Sequence, residues 1–325
     1  MRLVVSLAVA GVLLFVLARW GGVGAGDVGA ALGRLTLGTY GAALGLHVAI
    51  YLVRAVRFRV LLGGEGGSGF AGQLGVVLAH GMASLVLPAK VGEFSYVVYA
   101  GRVLEVKAET GMAVLLVSRL LDLATLAMAM GVACVVVDGA VWMRPVGLGA
   151  VGLGVVLFAL SWRGEWLVRG GVWASRRMRV ERWGVGKRAI VRVEGLGAAL
   201  EEAARGHKLW KAIGLTGVAW VGVFGCCAVL AKGLGIGDGV GWGEAVFGSG
   251  MAMAMTMLPL SAFASFGTLE AGWVVGFGVC GVGRELALAT GAGLHVVQLV
   301  NAVGLGVVGH VLMGMCAKGA ESSES

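Results

Sequence analysis

The sequence predicts an all-α, polytopic membrane protein, and three observations predict it. Only 14% of its 325 residues are charged while 58% are hydrophobic, where soluble domains carry about 25% charged residues. Apolar runs of helical-span length recur along the chain, and the mean hydropathy is +0.91. Two of the runs break in the same way, at AHGMASLVLPAKVGE (Ala79–Glu93) and at MLPLSAFASFGTLE (Met257–Glu270). Each break is Leu-Pro, then small residues and a Gly, then a carboxylate. Interrupted apolar segments at corresponding places in two halves are the best sequence-level pointer to a transport site.

Taken in order, Leu3–Leu17 is a first span and Thr39–Val53 a second, which runs into Arg54, Arg57 and Arg59. Lys and Arg mark the cytoplasmic side, so the second span ends inside and the N-terminus is expected inside. Residues 70–101 form a hairpin broken at Pro88 and Gly92. The few residues from Glu93 to Arg102 are too short for a crossing, which takes about 20 residues as helix. Met112–Val137 crosses outward and Pro145–Leu160 returns. Residues 163–208 form a basic segment, and twelve Lys/Arg fall between Trp162 and Lys211. Trp162, Trp166 and Trp173 at near-helical spacing make it either an interfacial amphipathic helix or a plain cytoplasmic loop. Leu209–Ala231 crosses outward, residues 243–282 form a second hairpin broken at Pro259 and Gly267, and Leu286–Met313 crosses inward.

This order gives about six full spans and two re-entrant hairpins, in a membrane half at 1–162, the basic segment, and a second half at 209–325. Span, broken segment, return and span recur in opposite orientation, the layout of inverted-topology repeats with a site where the halves meet. The 60 glycines lack a Gly-X-Y period and fit helices packed through small residues, although a genomic base bias would also raise their number. Met1–Trp20 has a basic start without a clear cleavage site, so no cleavable signal is expected.

Ionisable groups within the membrane zone are Lys90, Glu93, Arg119, Asp122 and Glu270. Each costs about 2.5–3.5 kcal/mol at depth on insertion scales, so such groups face a cavity or one another. Arg119 and Asp122 are i,i+3 neighbours that fit a structural ion pair or a substrate contact. Lys90 and Glu93 fit a binding site or a self-neutralised tip. Glu270 fits a helix cap favoured by the dipole, or a proton- or headgroup-linked role. Met251, Met253, Met255 and Met257 fit either a lipid-facing surface or an adaptable acyl-binding wall. His47, His80, His295 and His310 form no ligand motif, so core packing is expected and no metal. Gln298 and Asn301 fit helix–helix hydrogen bonding or substrate contact. The five cysteines lie in apolar runs without a CxxC spacing. GVGKRA (Gly184–Ala189) lacks the leading Gly and the Ser/Thr of a phosphate loop, so nucleotide hydrolysis and other cofactors are not expected.

LPAKVGE (Leu87–Glu93), SRLLDL (Ser118–Leu123) and LPLSAFASFGTLEA (Leu258–Ala271) resemble the motifs of the lysylphosphatidylglycerol synthase/flippase transmembrane-domain family, approximately LPAR-x-GE, ER-x-x-D and LP-x-S-x-x-G-x-G-x-x-E. The resemblance implies a lipid-translocating bundle with substrate contacts at Lys90, Glu93, Arg119, Asp122, Ser261 and Glu270, and breaks at Pro88, Gly92, Pro259 and Gly267. Lys90 stands where Arg is usual, which weakens bidentate phosphate recognition. Ser118 replaces an acidic residue, and Phe263–Ser265 replace a glycine-rich stretch. No soluble aminoacyl-transferase domain is seen, so lysyl transfer is not expected of this chain. The function expected is a flippase or transporter of a polar-headgroup lipid in the bacterial inner membrane, with both termini cytoplasmic. Its partners are membrane lipids and lipid-biosynthesis enzymes, not nucleic acid. The alternative is a membrane-embedded enzyme or scaffold of lipid, hopanoid or glycolipid synthesis.

Overall fold

The computed structural model describes residues 23–64, 66–67, 69–137, 141–177, 184–237, 239–257 and 263–323. The expected first span at Leu3–Leu17, with Pro259 and Ser261, lies outside them. The described residues are helical throughout, with no strand. Helix α1 (Ala25–Gly33) meets α2 (Leu37–Leu62) at 91°. Thr36 starts α2 by accepting from the Thr39 amide at 3.1 Å, and Gly63 ends it in the left-handed conformation (φ 68). This helix runs nine residues beyond the expected end at Val53. The extension is possible because Arg57 is buried against Asp122 and Thr216 and Arg54 lies half-buried beside a cavity; Arg59 alone of the three is exposed.

The first hairpin comprises α3 (Gly69–Val86), a 3₁₀ stretch (Pro88–Phe94) and α4 (Ser95–Val103). Its two limbs are antiparallel. Gly92 lies against the backbone of Ala83, and His80 meets Ser95 at 3.0 Å. A Cβ on Gly66 would sit 3.4 Å from the Cβ of Leu104, so the chain returns to the side it left. Helix α3 is itself apolar and long enough to cross, at roughly 27 Å. The tip therefore lies a full helix length from Gly69.

Helix α5 (Ala108–Val136) leads to α6 (Met143–Arg177), which carries Pro145 in its first turn, where a missing N–H is harmless. Helical geometry lapses at Arg163 (φ −119), which closes the apolar part of α6. The described parts of the basic segment are helical, at the end of α6 and in α7 (Gly184–Ala203), which packs on α5 and α6 and buries Leu200 and Ala203 in the core. Trp162 meets Trp210 edge-on at 5.3 Å. The side chains of Trp166 and Trp173 lie outside the described residues.

Helix α8 (His207–Leu234) precedes the second hairpin, made of α9 (Trp242–Met257), a 3₁₀ turn (Phe263–Ser265) and α10 (Thr268–Val279). Cys280 Sγ donates to the Glu244 carbonyl at 3.8 Å. A Cβ on Gly276 would lie 2.7 Å from the Gly248 carbonyl, and one on Gly272 2.6 Å from Ala252 Cα. Partners thus run in opposite directions along an antiparallel pair that only glycine permits to close. Helix α11 (Arg284–Ser323) ends the described chain.

Among the described residues five helices are long and apolar enough to cross a membrane, or six if α1 and α2 count as one bent span. This is a polytopic membrane protein. The packing is reciprocal: α2 lies on α8, α3 on α11, and α5 on α9, while the two 3₁₀ stretches touch each other.

Candidate functional site

Where the two hairpin tips meet, a cavity of about 480 Å³ opens. Helix α2 contributes His47, Tyr51, Arg54 and Arg57, helix α3 His80 and Ser84, the first 3₁₀ stretch Lys90 and Glu93, and α5 Arg119. The other half of the chain contributes Met253, Thr256 and Met257 from α9, Ser265 from the second tip, and Gln298 from α11. One part of the wall is charged and the remainder is mostly apolar with a few uncharged polar groups, as an amphipathic ligand requires.

Of the sequence-predicted residues, Lys90, Glu93 and Arg119 come together at this cavity. Lys90 sits in the left-handed region (φ 59), a conformation that a non-glycine residue adopts only where its surroundings impose it. Arg119 donates from Nε to Glu93 Oε2 at 2.6 Å, and its Nη2 pairs with the same oxygen. Gly92 sets the tip's approach to α3: a side chain there would meet the Ala83 backbone and lie 2.8 Å from Ser84 Cα.

Asp122 lies behind the cavity wall and is itself buried. Arg57 donates to both its oxygens, at 2.7 and 3.1 Å, and Arg119 reaches it at 3.5 Å. Trp220 Nε1 donates to it at 3.2 Å, and Arg57 also donates to Thr216 at 3.0 Å. Such a bidentate guanidinium–carboxylate pair fixes α2, α5 and α8 against one another.

Glu270 does not line the cavity. It accepts from the Gly267 amide at 2.8 Å, closing the start of α10, and its other oxygen meets His295 Nδ1 at 2.7 Å. Nε2 of His295 meets the Ala264 carbonyl at 2.8 Å, so that nitrogen carries hydrogen and the ring bridges both sides of the second tip. Gly267 (φ 82), Ala264 (φ 51) and Ser265 (φ 58) are all left-handed there. Pro88 opens the first 3₁₀ stretch, whereas Pro259 and Ser261 lie outside the described residues.

From the sequence, Arg54 and Arg57 are expected to mark the cytoplasmic end of the second span, and His80 and His295 to be packed in the core. The spacing of the arginines was a usable signal, since i,i+3 residues share a helix face. A second signal was overlooked. Glu93 and its base Arg119 are 26 residues apart, and Glu270 and its base His295 are 25.

A family model described as the lysylphosphatidylglycerol synthase TM region matches residues 3–306. No curated protein and no solved structure matches.

Proposed function

This chain belongs to the lysylphosphatidylglycerol synthase transmembrane-region family, and from that premise we propose that it moves a lipid with a polar headgroup, of phospho-, glyco- or isoprenoid type, across a bacterial inner membrane. A polar headgroup cannot cross hydrocarbon cheaply, and a charged seam shared by two halves gives it a path while the tails stay in lipid. The observation that carries this reading is the cavity of about 480 Å³ walled by both hairpins, charged on one part and lined by Met253, Met257, Leu116 and Leu123 on another. Lys90 and Arg119 meet the headgroup's negative charge, and Glu93 balances it. Asp122, Ser261 and Glu270 complete the site or hold its walls, and Pro88, Gly92, Pro259 and Gly267 permit the breaks. Reciprocal packing of α2 on α8, α3 on α11 and α5 on α9 supports an inverted repeat whose hairpins reach in from opposite faces. In that arrangement both termini are cytoplasmic.

The test is translocation of a labelled lipid in proteoliposomes. Wild-type protein should accelerate movement between leaflets, and Lys90→Ala/Glu93→Ala should slow it at least about tenfold, the loss expected when charge-assisted contacts go. Equal rates for wild type and variant would discard the site, and no acceleration by wild type would discard translocation.

A further inference from the structure

We propose that the ligand of this cavity carries two negative charges on phosphate, as a phosphomonoester or diphosphate headgroup does, and that His47, Arg54 and Arg57 of α2 hold it together with Lys90. The inference rests on the lipid-transport reading and names the headgroup class that reading leaves open.

Two independent observations lead there. The first is charge. Four cationic side chains line the cavity, Arg54, Arg57, Lys90 and Arg119. Two carboxylates answer them: Asp122 is bonded to Arg57, and Glu93 to Arg119. No carboxylate oxygen of the described residues lies within 4.0 Å of Arg54 or Lys90. Glu270 is committed to His295. Two positive charges are therefore left over at depth in a membrane, where an unanswered charge is costly. A ligand with two negative charges neutralises the site, whereas a cationic or zwitterionic headgroup leaves the excess in place.

The second is hydrogen bonding. Nδ1 of His47, Nε of Arg54 and Nε of Arg57 are buried and have no hydrogen-bond partner. All three belong to cavity-lining residues. They recur at i, i+7 and i+10 on α2, which puts them on one face. These atoms are closed off from the open lumen, so they reach a ligand only when the α2 side chains turn toward it; an acceptor with several oxygens then satisfies them, and phosphate offers three or more in a form that guanidinium groups fork onto. A carboxylate headgroup supplies only two oxygens and one charge.

The experiment measures binding to the full chain in nanodiscs at about pH 8, where a phosphomonoester is dianionic because its second pKa is near ~6. The probes are short-chain phosphatidic acid, short-chain phosphatidylglycerol with the same tails, inorganic phosphate and pyrophosphate. Phosphatidic acid should bind at least about tenfold tighter than phosphatidylglycerol, one charge-assisted contact being worth that much. Arg54→Gln and Lys90→Gln should each erase that preference while the melting point in detergent stays at the wild-type value, which shows that the variants are folded. Arg54→Lys should restore part of it, and Arg59→Gln, at an exposed position, should change nothing.

Equal affinity for the two lipids, or a preference that survives Arg54→Gln, overturns the proposal. Inorganic phosphate or pyrophosphate binding as tightly as phosphatidic acid overturns the lipid source and assigns the site to a soluble anion. The translocation assay separates the two readings. Lipid movement without a dianion preference sinks only the headgroup class, and an Arg54-dependent preference without movement sinks only the transport reading.

Discussion

Asp122 gives the sharpest test of how this bundle is held together. Its carboxylate receives both Arg57 Nη groups, the Trp220 indole and, at 3.5 Å, Arg119, and the side chains of Asp122 and Arg57 are each 2% exposed. Asp122→Ala leaves the Arg57 guanidinium buried with only the Thr216 hydroxyl to accept from it, and stranding a buried charge costs about 3–5 kcal/mol. Arg57→Met strands the opposite charge, but Arg119 and Trp220 remain on Asp122, so its cost falls at the lower end. Arg57→Met/Asp122→Ala removes both charges; what is lost is the acceptor for Trp220 Nε1, about 1–3 kcal/mol for one buried donor. The double variant should therefore be more stable than Asp122→Ala alone, with a coupling energy of at least about 3 kcal/mol. Chemical unfolding of the purified protein in detergent, followed by tryptophan fluorescence, measures the cycle. Additive single costs, or an Asp122→Ala protein within about 1 kcal/mol of wild type, would refute the reasoning.

Glycine packing predicts a contrast within one helix. Gly276→Ala drives a methyl to within 2.7 Å of the Gly248 carbonyl and should cost about 1–3 kcal/mol by overpacking, whereas Gly278→Ala has open space and should be neutral or slightly stabilising in the same unfolding assay. Glu270→Gln keeps an oxygen for the Gly267 amide and offers an amide hydrogen to His295 Nδ1, so it should melt close to wild type, while Glu270→Ala should lose about 1–3 kcal/mol. Equal melting points for the two would show that the pair is not held by those bonds. Outside the membrane, Lys208 hydrogen-bonds Glu202 at 2.5 Å and holds its carboxyl below the usual carboxylate range. A lowered folded-state pKa contributes stability that is present above the unfolded value and is lost as pH falls through the folded one. Both groups are partly open to solvent, so the acid-side loss should stay below about 1 kcal/mol and vanish in Glu202→Gln.

Much of this architecture could be read from the chain because bilayers impose long apolar helices, and because Pro88 and Pro259 stand in runs that would otherwise be unbroken. A helix break after Leu87 was legible from Pro88, and the structure has a 3₁₀ stretch there between two helices. The polar site was only half legible. Lys90, Glu93 and Arg119 belong to motifs, but Arg54 and Arg57 sit where a charge cluster after an apolar run reads as a loop. Only a partner 65 residues away, Asp122, makes burying Arg57 tolerable, and no local pattern announces it. The same limit hid His295, whose two ring nitrogens are spoken for by residues 25 and 31 positions away.

The two halves use one device with different chemistry, and the difference decides which tip can serve a ligand. In each, a carboxylate near the hairpin tip is bonded to a base on the span that closes its half, Glu93 to Arg119 on α5 and Glu270 to His295 on α11. A guanidinium has five donors in a planar fork. Glu93 engages one edge of it, and Arg119 remains 34% exposed toward the cavity. An imidazole has only two nitrogens; both are bonded, and His295 and Glu270 are 0% and 1% exposed. In the described part of the second tip, Glu270 and His295 therefore have their hydrogen-bonding atoms taken up. Arg119 keeps exposed surface at the cavity beside Lys90, so the proposed anion would be met from the first tip.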